Sequence, residues 1–260
     1  MPTRRRLGAL GAVIAVWLAA TGFNPKELSF EDQGLVQAFL TTVEPLIAQR
    51  KANHSLALLT FDELYAPLPK EQRALLDWMR SLTPQQLGHR SRPLGAAPDD
   101  TEFERLDDQR YTTRDHETKT LDTQYLPADV FHAYRLMMRE MQRDLGLRLL
   151  VESGYRSPAY QLHVFLSFLP KHGYSVKETA RFVALPGYSE HGAPQCQAID
   201  FINQEGINGE DVPAEFEGLP EYDWLTKHAG EYGFVLSYPR DNAWDTSFEP
   251  WHWHYEPVSP

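Results

Sequence analysis

The sequence predicts an α+β fold: a small antiparallel sheet flanked by helices, with a helical extension at the N-terminus. Three observations lead there. In several stretches apolar residues recur at three- and four-residue steps, the period of a helix with one buried face. Between these stretches lie short apolar runs bounded by turn residues, which read as strands. Helices and strands do not alternate in a βαβ rhythm, so the strands are expected to pair antiparallel in one small sheet.

The first 22 residues stand apart. Arg4, Arg5 and Arg6 precede an uncharged apolar stretch from Leu7 to about Ala20, followed by small residues. That is the pattern of a secretory signal peptide or, if uncleaved, an N-terminal anchor. It is short for a membrane span of ~20 residues, and no other segment could cross a bilayer. The folded part is therefore expected beyond the cytoplasmic membrane, periplasmic or in the cell envelope, touching a membrane only through this segment.

Residues 23–120 read as a helical extension and linker. Leu35, Val36, Phe39 and Leu40, then Val43, Leu46 and Ile47, follow helical spacing, and Leu75, Leu76 and Met79 mark a second helix from Glu71 to Leu82. Residues 88–123 are polar, charged and proline-bearing, and read as a long connection. No chemical motif stands out in this region. His54, His89 and His116 are scattered in it and are expected to be surface or structural.

From residue 121 to the C-terminus the elements are better marked. Pro127 opens a helix with Val130, Tyr134, Met137, Met141 and Leu145 in one stripe, and Gly146 closes it. Leu147 to Glu152 is a short apolar strand. Ser157-Pro158 has the cap and first-turn chemistry of a helix carrying Leu162, Phe165, Leu166 and Leu169. Ser175 and Glu178 form a capping-box pair for another. Gln197–Ile202 reads as a strand, Tyr222–Tyr232 as a helix stopped by Gly233, and Phe234–Tyr238 and Glu249–Glu256 as strands.

Composition narrows the function. Asp and Glu outnumber Lys and Arg by 36 to 25 over 260 residues, a net charge of −11. Such a surface repels polyphosphate, which argues against nucleic acid as a partner. Cys196 is the only cysteine, so an intramolecular disulfide is excluded. As a nucleophile it lacks a recognisable base and oxyanion hole nearby, and it is read as a small buried thiol. His163, His172 and His228 fall within or at the ends of helices and are read as structural.

Metal-ligand chemistry concentrates in two segments. Ser189-Glu190-His191 is followed nine positions after the histidine by Asp200, and Glu249-Pro250-Trp251-His252-Trp253-His254 lies near the C-terminus. Catalytic zinc takes three protein ligands, mixing imidazole and carboxylate, and keeps a fourth position for water. His191, Asp200 and His252 would supply such a set. Asp200 sits inside an apolar strand, where an unpaired carboxylate is costly and coordination would remove the cost. Each residue also has a plainer reading: a loop histidine, a salt-bridge partner and a core histidine.

Taken in order, Ser153-Gly154-Tyr155-Arg156-Ser157 with Tyr160-Gln161, Ser189-Glu190-His191, Ala198-Ile199-Asp200 and Glu249-Pro250-Trp251-His252 resemble the VanY-type D-alanyl-D-alanine carboxypeptidases. That family belongs with the lysostaphin-like and hedgehog-like zinc folds, and the resemblance covers roughly residues 121–256. It implies a zinc D,D-peptidase domain with one Zn2+ per chain, held by His191, Asp200 and His252. It makes Glu249 the catalytic carboxylate. Arg156 would bind substrate or stabilise developing negative charge, with Gln161 and Ser189 lining the same cleft. The implied substrate is the D-Ala-D-Ala end of a peptidoglycan stem peptide. The implied reaction is removal of the terminal D-Ala, with endopeptidase action on the same zinc site or a non-catalytic zinc-stabilised module as alternatives. Retention of Glu249 argues against the last. Two departures from the family pattern stand out. The interval between His191 and Asp200 is two residues longer than usual, and position 254 is His where Arg is common. On an extended strand His254 shares a face with His252 and could support the site or replace a ligand.

Overall fold

The computed structural model describes residues 22–98, 100–210, 212–243 and 246–257. The segment read as a signal peptide or anchor, residues 1–22, lies outside them except for Gly22. No helix among the described residues is long and apolar enough to cross a membrane.

The sheet that organises the molecule has four antiparallel strands: β5 (Leu149–Ser153), β6 (Ala198–Asn203), β7 (Phe234–Leu236) and β8 (His252–Tyr255), in the spatial order β5-β6-β8-β7. Because side chains alternate across a strand, β6 and β8 each present two faces. Ile199, Phe201 and Trp253 turn to one face and are buried there with Leu149 and Val151. The helix α4 (Ala128–Leu145) covers that face through Val130, Tyr134, Met137 and Met141. Gly146 closes α4 in the left-handed region, as its position predicts, but Leu145 is exposed rather than part of the stripe. The opposite face of the sheet carries Asp200, His252 and His254.

The helical extension is more intimately joined to this domain than the word suggests. It comprises α1 (Phe30–Ala52), α2 (Phe61–Tyr65) and α3 (Lys70–Ser81). Val36, Phe39 and Val43 of α1 and Leu75, Leu76 and Met79 of α3 are buried in one cluster with Leu162, Phe165 and Leu166 of α5 (Pro158–Phe168) and with the following Leu169. Ser157 caps α5 by accepting the Tyr160 N–H at 3.2 Å. Its hydroxyl also donates to Leu59 O at 2.5 Å, and its backbone N–H reaches Ala57 O at 2.9 Å. The cap of a helix in the chemical domain is thus tied to the extension. Ser175 accepts the Glu178 N–H, but the reciprocal half of the capping box is not formed, and α6 (Val176–Thr179) is a single turn.

The stretch read as a long connection is instead folded into β-structure. β1 (Phe103–Leu106) pairs with β4 (Gln124–Pro127), and β2 (Arg110–Thr112) pairs with β3 (Thr118–Thr120). All four are short; β2 and β3 are mostly exposed, and β1 and β4 bury only Leu106, Leu126 and Pro127, so they lack the apolar alternation by which strands are recognised. Gln109 uses its side-chain amide to cover the edge of β5, donating to Val151 O and accepting from Val151 N, both at 2.9 Å. The remaining helices, α7 (Pro213–Glu217) and α8 (Pro220–His228), lead into a 3-10 turn that Gly233 ends at φ 81° before β7. Glu249 does not lie on a strand as predicted: it stands in the turn before β8.

Candidate active site

The register of the sheet builds the site. Asp200 of β6 lies directly opposite His252 of β8, and Ala198 lies opposite His254. Hence Asp200, His252 and His254 project from one face of two adjacent central strands. His191 arrives from a loop. Ser189 caps a 3-10 turn over Glu190–Gly192 by accepting the His191 N–H, and the His191 carbonyl accepts the Arg156 N–H at 2.9 Å. A second 3-10 turn, Pro194–Cys196, lies between this turn and β6.

The structure brings His191, Asp200 and His252 together, with one potential ligand atom from each within 4.8 Å of the others. The orientation of each ring is fixed from behind. His191 Nδ1 lies 2.7 Å from Gly154 O. A carbonyl only accepts, so Nδ1 carries the proton and Nε2 presents a lone pair. Nε2 is buried and makes no hydrogen bond, although Asp200 Oδ2 is 3.1 Å away. Burial, helped by the Arg156 charge, lowers the His191 pKa to about 4, so the ring is neutral. A neutral imidazole with one nitrogen anchored to a carbonyl and the other orphaned is what a metal ligand requires.

Gly154 makes this anchor possible. A Cβ there would stand 2.5 Å from the Tyr125 carbonyl oxygen and 3.0 Å from a Leu126 methyl. Only glycine lets this backbone pass so close to β4 while its own carbonyl faces His191.

His252 is held by two carboxylates. Its Nδ1 is 2.7 Å from Asp200 Oδ1 and its Nε2 is 2.9 Å from Glu190 Oε2. Burial alone would lower its pKa, but Asp200 and Glu190 outweigh it and raise the value to about 10. The imidazoles in turn overcome the burial of Asp200 and hold its carboxyl well below the usual range. Glu190 is likewise buried, yet its hydrogen bond and charge interaction with His252, helped by His254 and Ser237, bring it to about 2.

Sequence reasoning gave Glu190 no role, because the residue is recognised only through its tertiary partners. Ser237 Oγ donates to Glu190 Oε2 at 2.6 Å, which spends its only hydrogen. His254 Nδ1, 2.8 Å from the same hydroxyl, must therefore be the donor there. His254 lies outside the three-residue cluster and supports it through Ser237 and Glu190.

Glu249 stands beside the cluster, its Oε2 4.0 Å from His252 Nδ1. Burial lifts its pKa to about 7; the His252 charge opposes this, and Asp200 and Glu190 add to it. Tyr238, whose ring centroid is 5.0 Å from that of His252, is held well above its ordinary pKa, chiefly by burial and the nearby carboxylates. Its phenol is thus a neutral donor at the cleft wall. Arg156, Gln161 and Ser189 line the same cleft. Gln161 donates to Ala184 O at 2.7 Å while its Oε1 remains buried without a partner, and Arg156 Nε is also buried and unpartnered. The half-buried Cys196 has its thiol pKa raised by burial, which leaves it protonated and a poor nucleophile.

A family model described as "VanY: D-alanyl-D-alanine carboxypeptidase" matches residues 123–258, slightly more than half of the chain. The chain belongs to this family. It is accordingly an enzyme, a peptidase of the D-Ala-D-Ala carboxypeptidase type. The bifunctional D-Ala-D-Ala dipeptidase and D-Ala-D-Ala carboxypeptidase VanXYC of Enterococcus gallinarum is 30% identical over 133 residues, covering 50% of this chain and 67% of that one. The putative carboxypeptidase YodJ of Bacillus subtilis (strain 168) is 28% identical over 137 residues, covering 52% and 48%. A solved structure of the vancomycin resistance D,D-pentapeptidase VanY in complex with Zn(II) is 22% identical, with a TM-score of 0.42, covering 62% of this chain and 83% of that one. The chain thus spans two thirds of the first curated relative and about half of the second. The matched region of this VanY-family chain contains all four segments that build the cleft floor, while residues 22–98 lie outside it.

Proposed function

We propose that this protein is a zinc-dependent carboxypeptidase that removes the terminal D-alanine from peptides ending in D-Ala-D-Ala. The observation that carries the reading is the cluster of His191, Asp200 and His252. Each ring nitrogen facing away from the cluster already has an oxygen partner, and Glu249 stands within reach but outside it. Two imidazole nitrogens and one carboxylate oxygen suit zinc and leave a coordination position open. Zinc held there would supply Lewis acidity to polarise the scissile carbonyl and to acidify water.

The chain's own residues do the rest. Glu249, with a pKa near neutrality, accepts the proton of the attacking water and passes it to the leaving amine. Glu190 keeps the His252 ring in register, and Gly154 O does the same for His191. Arg156 offers a guanidinium without a carboxylate partner among the described residues, suited to gripping the terminal carboxylate of the substrate bidentately. Tyr238 adds a neutral hydroxyl donor. The natural substrate on this reading is a peptidoglycan stem peptide. Export rests on the N-terminal sequence pattern and fits a substrate in the cell envelope. Sequencing the N-terminus of the protein recovered from the envelope fraction tests it.

The central test is Glu249→Gln, which preserves shape but cannot take the proton. D-Ala release should fall at least about a hundredfold, while zinc content measured on the same preparation stays at about one per chain. Release at the wild-type rate would remove Glu249 as the base, and loss of zinc would recast it as a ligand. Arg156→Lys separates two roles for that residue. A rise in KM with kcat preserved supports the carboxylate grip, whereas a fall in kcat alone would place the charge at the developing oxyanion.

A further inference from the structure

The cleft is larger than its metal end requires. At about 1120 Å³ it exceeds the range of about 300–1,000 Å³ that encloses a drug-sized ligand, and a dipeptide terminus would occupy a small part of it. Part of its wall comes from the N-terminal extension, in the segment 84–94. That wall is fastened at several points. Gln85 Nε2 donates to Ser91 O at 2.7 Å, His89 Nε2 to Lys177 O at 2.8 Å, and the Leu94 N–H to Gly187 O at 2.9 Å. Gly187 belongs to the loop that presents Ser189 and His191, so the wall is joined to the element that delivers a metal ligand.

Arg90 and Arg92 stand exposed on this wall, and Lys171, from the turn after α5, lines the same cleft. None of the three is ion-paired with a carboxylate among the described residues; Lys171 instead places its ammonium 4.1 Å from the centroid of the Phe168 ring. In a chain with a net charge of −11, three unneutralised cations along one cleft are a marked local reversal. The metal end of the cleft holds Glu190, Asp200 and Glu249. There His252 and Arg156 offset those carboxylates, whereas Arg90, Arg92 and Lys171 have no carboxylate against them among the described residues.

We infer that Arg90, Arg92 and Lys171 form a subsite for carboxylates carried by the substrate peptide on the N-terminal side of the scissile bond. The inference rests on the proposed reaction for the direction in which the peptide lies. Guanidinium groups pair with carboxylates through two parallel donors, a geometry that a neutral side-chain amide does not satisfy. The walls of a cleft also focus the field of clustered charges on what enters it. An acidic peptide is thus both attracted and held, and the extension that the family model does not cover becomes a determinant of specificity.

The test uses two pentapeptides ending in D-Ala-D-Ala, identical except that two upstream residues are Glu in one and Gln in the other. Binding by calorimetry and D-Ala release are measured for the zinc-loaded protein and for Arg90→Gln/Arg92→Gln, whose exposed side chains put folding at little risk. The native protein should prefer the acidic peptide by about 10- to 100-fold in affinity, as expected for one or two charge-assisted contacts. The preference should shrink as salt screens the pair, and in the double variant the ratio should fall toward one. Equal affinity for the two peptides in the native protein, or an undiminished ratio in the variant, would overturn the subsite. Preferential binding of the acidic peptide without any D-Ala release would sustain the subsite and sink the proposed reaction, and release from both peptides with equal affinity would do the reverse.

Discussion

His191 and His252 face one point, yet their surroundings drive them in opposite directions. Burial and Arg156 keep His191 neutral, with its pKa lowered to about 4, whereas Asp200 and Glu190 raise His252 to about 10. At pH 7 the metal-free protein therefore holds a proton on His252 that a metal must displace, because a ligand nitrogen needs its lone pair. Zinc uptake near neutrality should release about one proton, none of it from His191. The apparent affinity should rise roughly tenfold per pH unit between about pH 7 and the His252 pKa. Calorimetry in two buffers of different ionisation enthalpy reads the proton count, and a pH-independent affinity over that range would contradict the assignment. Glu190→Ala removes the acceptor behind His252 Nε2 and should weaken zinc binding by about 10- to 100-fold, the usual cost of losing such a partner. Glu190→Gln, which keeps a side-chain oxygen acceptor, should recover part of that loss. The grouping of His191, Asp200 and His252 was legible in the sequence, because metal chemistry restricts the residue types and the motif fixes their order. Glu190, Ser237 and Tyr238 were not, since a glutamate beside a histidine shows nothing until the fold brings β7 and β8 to it.

Asp200 and His252 meet because of how elements are registered, and register depends on both sides of a strand. Ile199, Phe201 and Trp253 must face α4, so Asp200 and His252 must face the cleft; a slip of one residue would exchange the two sets. This made β6 recognisable from its apolar run and β8 from its aromatics. The exposed β2–β3 pair gave no such pattern, and β1 and β4 bury only Leu106, Leu126 and Pro127, too few to show a period. The Ser153–Ser157 segment is the other fixed element. Gly154 threads between the Tyr125 carbonyl and His191, and Gly154→Ala would force one of them to move. The variant should lose about 1–3 kcal/mol of stability, read as a shift in denaturant midpoint. It should also bind zinc more weakly, since the carbonyl anchoring His191 Nδ1 would be displaced. Unchanged stability with unchanged zinc binding would show that the close approach at Gly154 is not obligatory.

At the scale of the whole molecule, the division between a helical extension and a VanY-family domain follows the sequence pattern but not the packing. Helical periodicity in α1 and α3 showed that they bury one face, but not what they bury it against. The partner is α5, the helix that Ser157 caps and that carries Gln161 into the cleft. Phe39, Leu75, Leu76, Phe165 and Leu166 are wholly buried in one cluster, so removing the extension would expose the apolar side of α5 beside the active site. A unit that shares a core with its neighbour should not unfold independently. Calorimetry of the full zinc-loaded chain should show one cooperative transition, with D-Ala release lost at the same temperature. Phe39→Ala, distant from every ligand in sequence, should destabilise the protein by about 3–5 kcal/mol and lower that single transition as a whole. If the extension were merely appended, the variant would melt in two steps, with peptidase activity surviving the first. Hydrogen exchange at α5 distinguishes the cases directly: in a shared core its amides lose protection in Phe39→Ala, and in an appended extension they keep it.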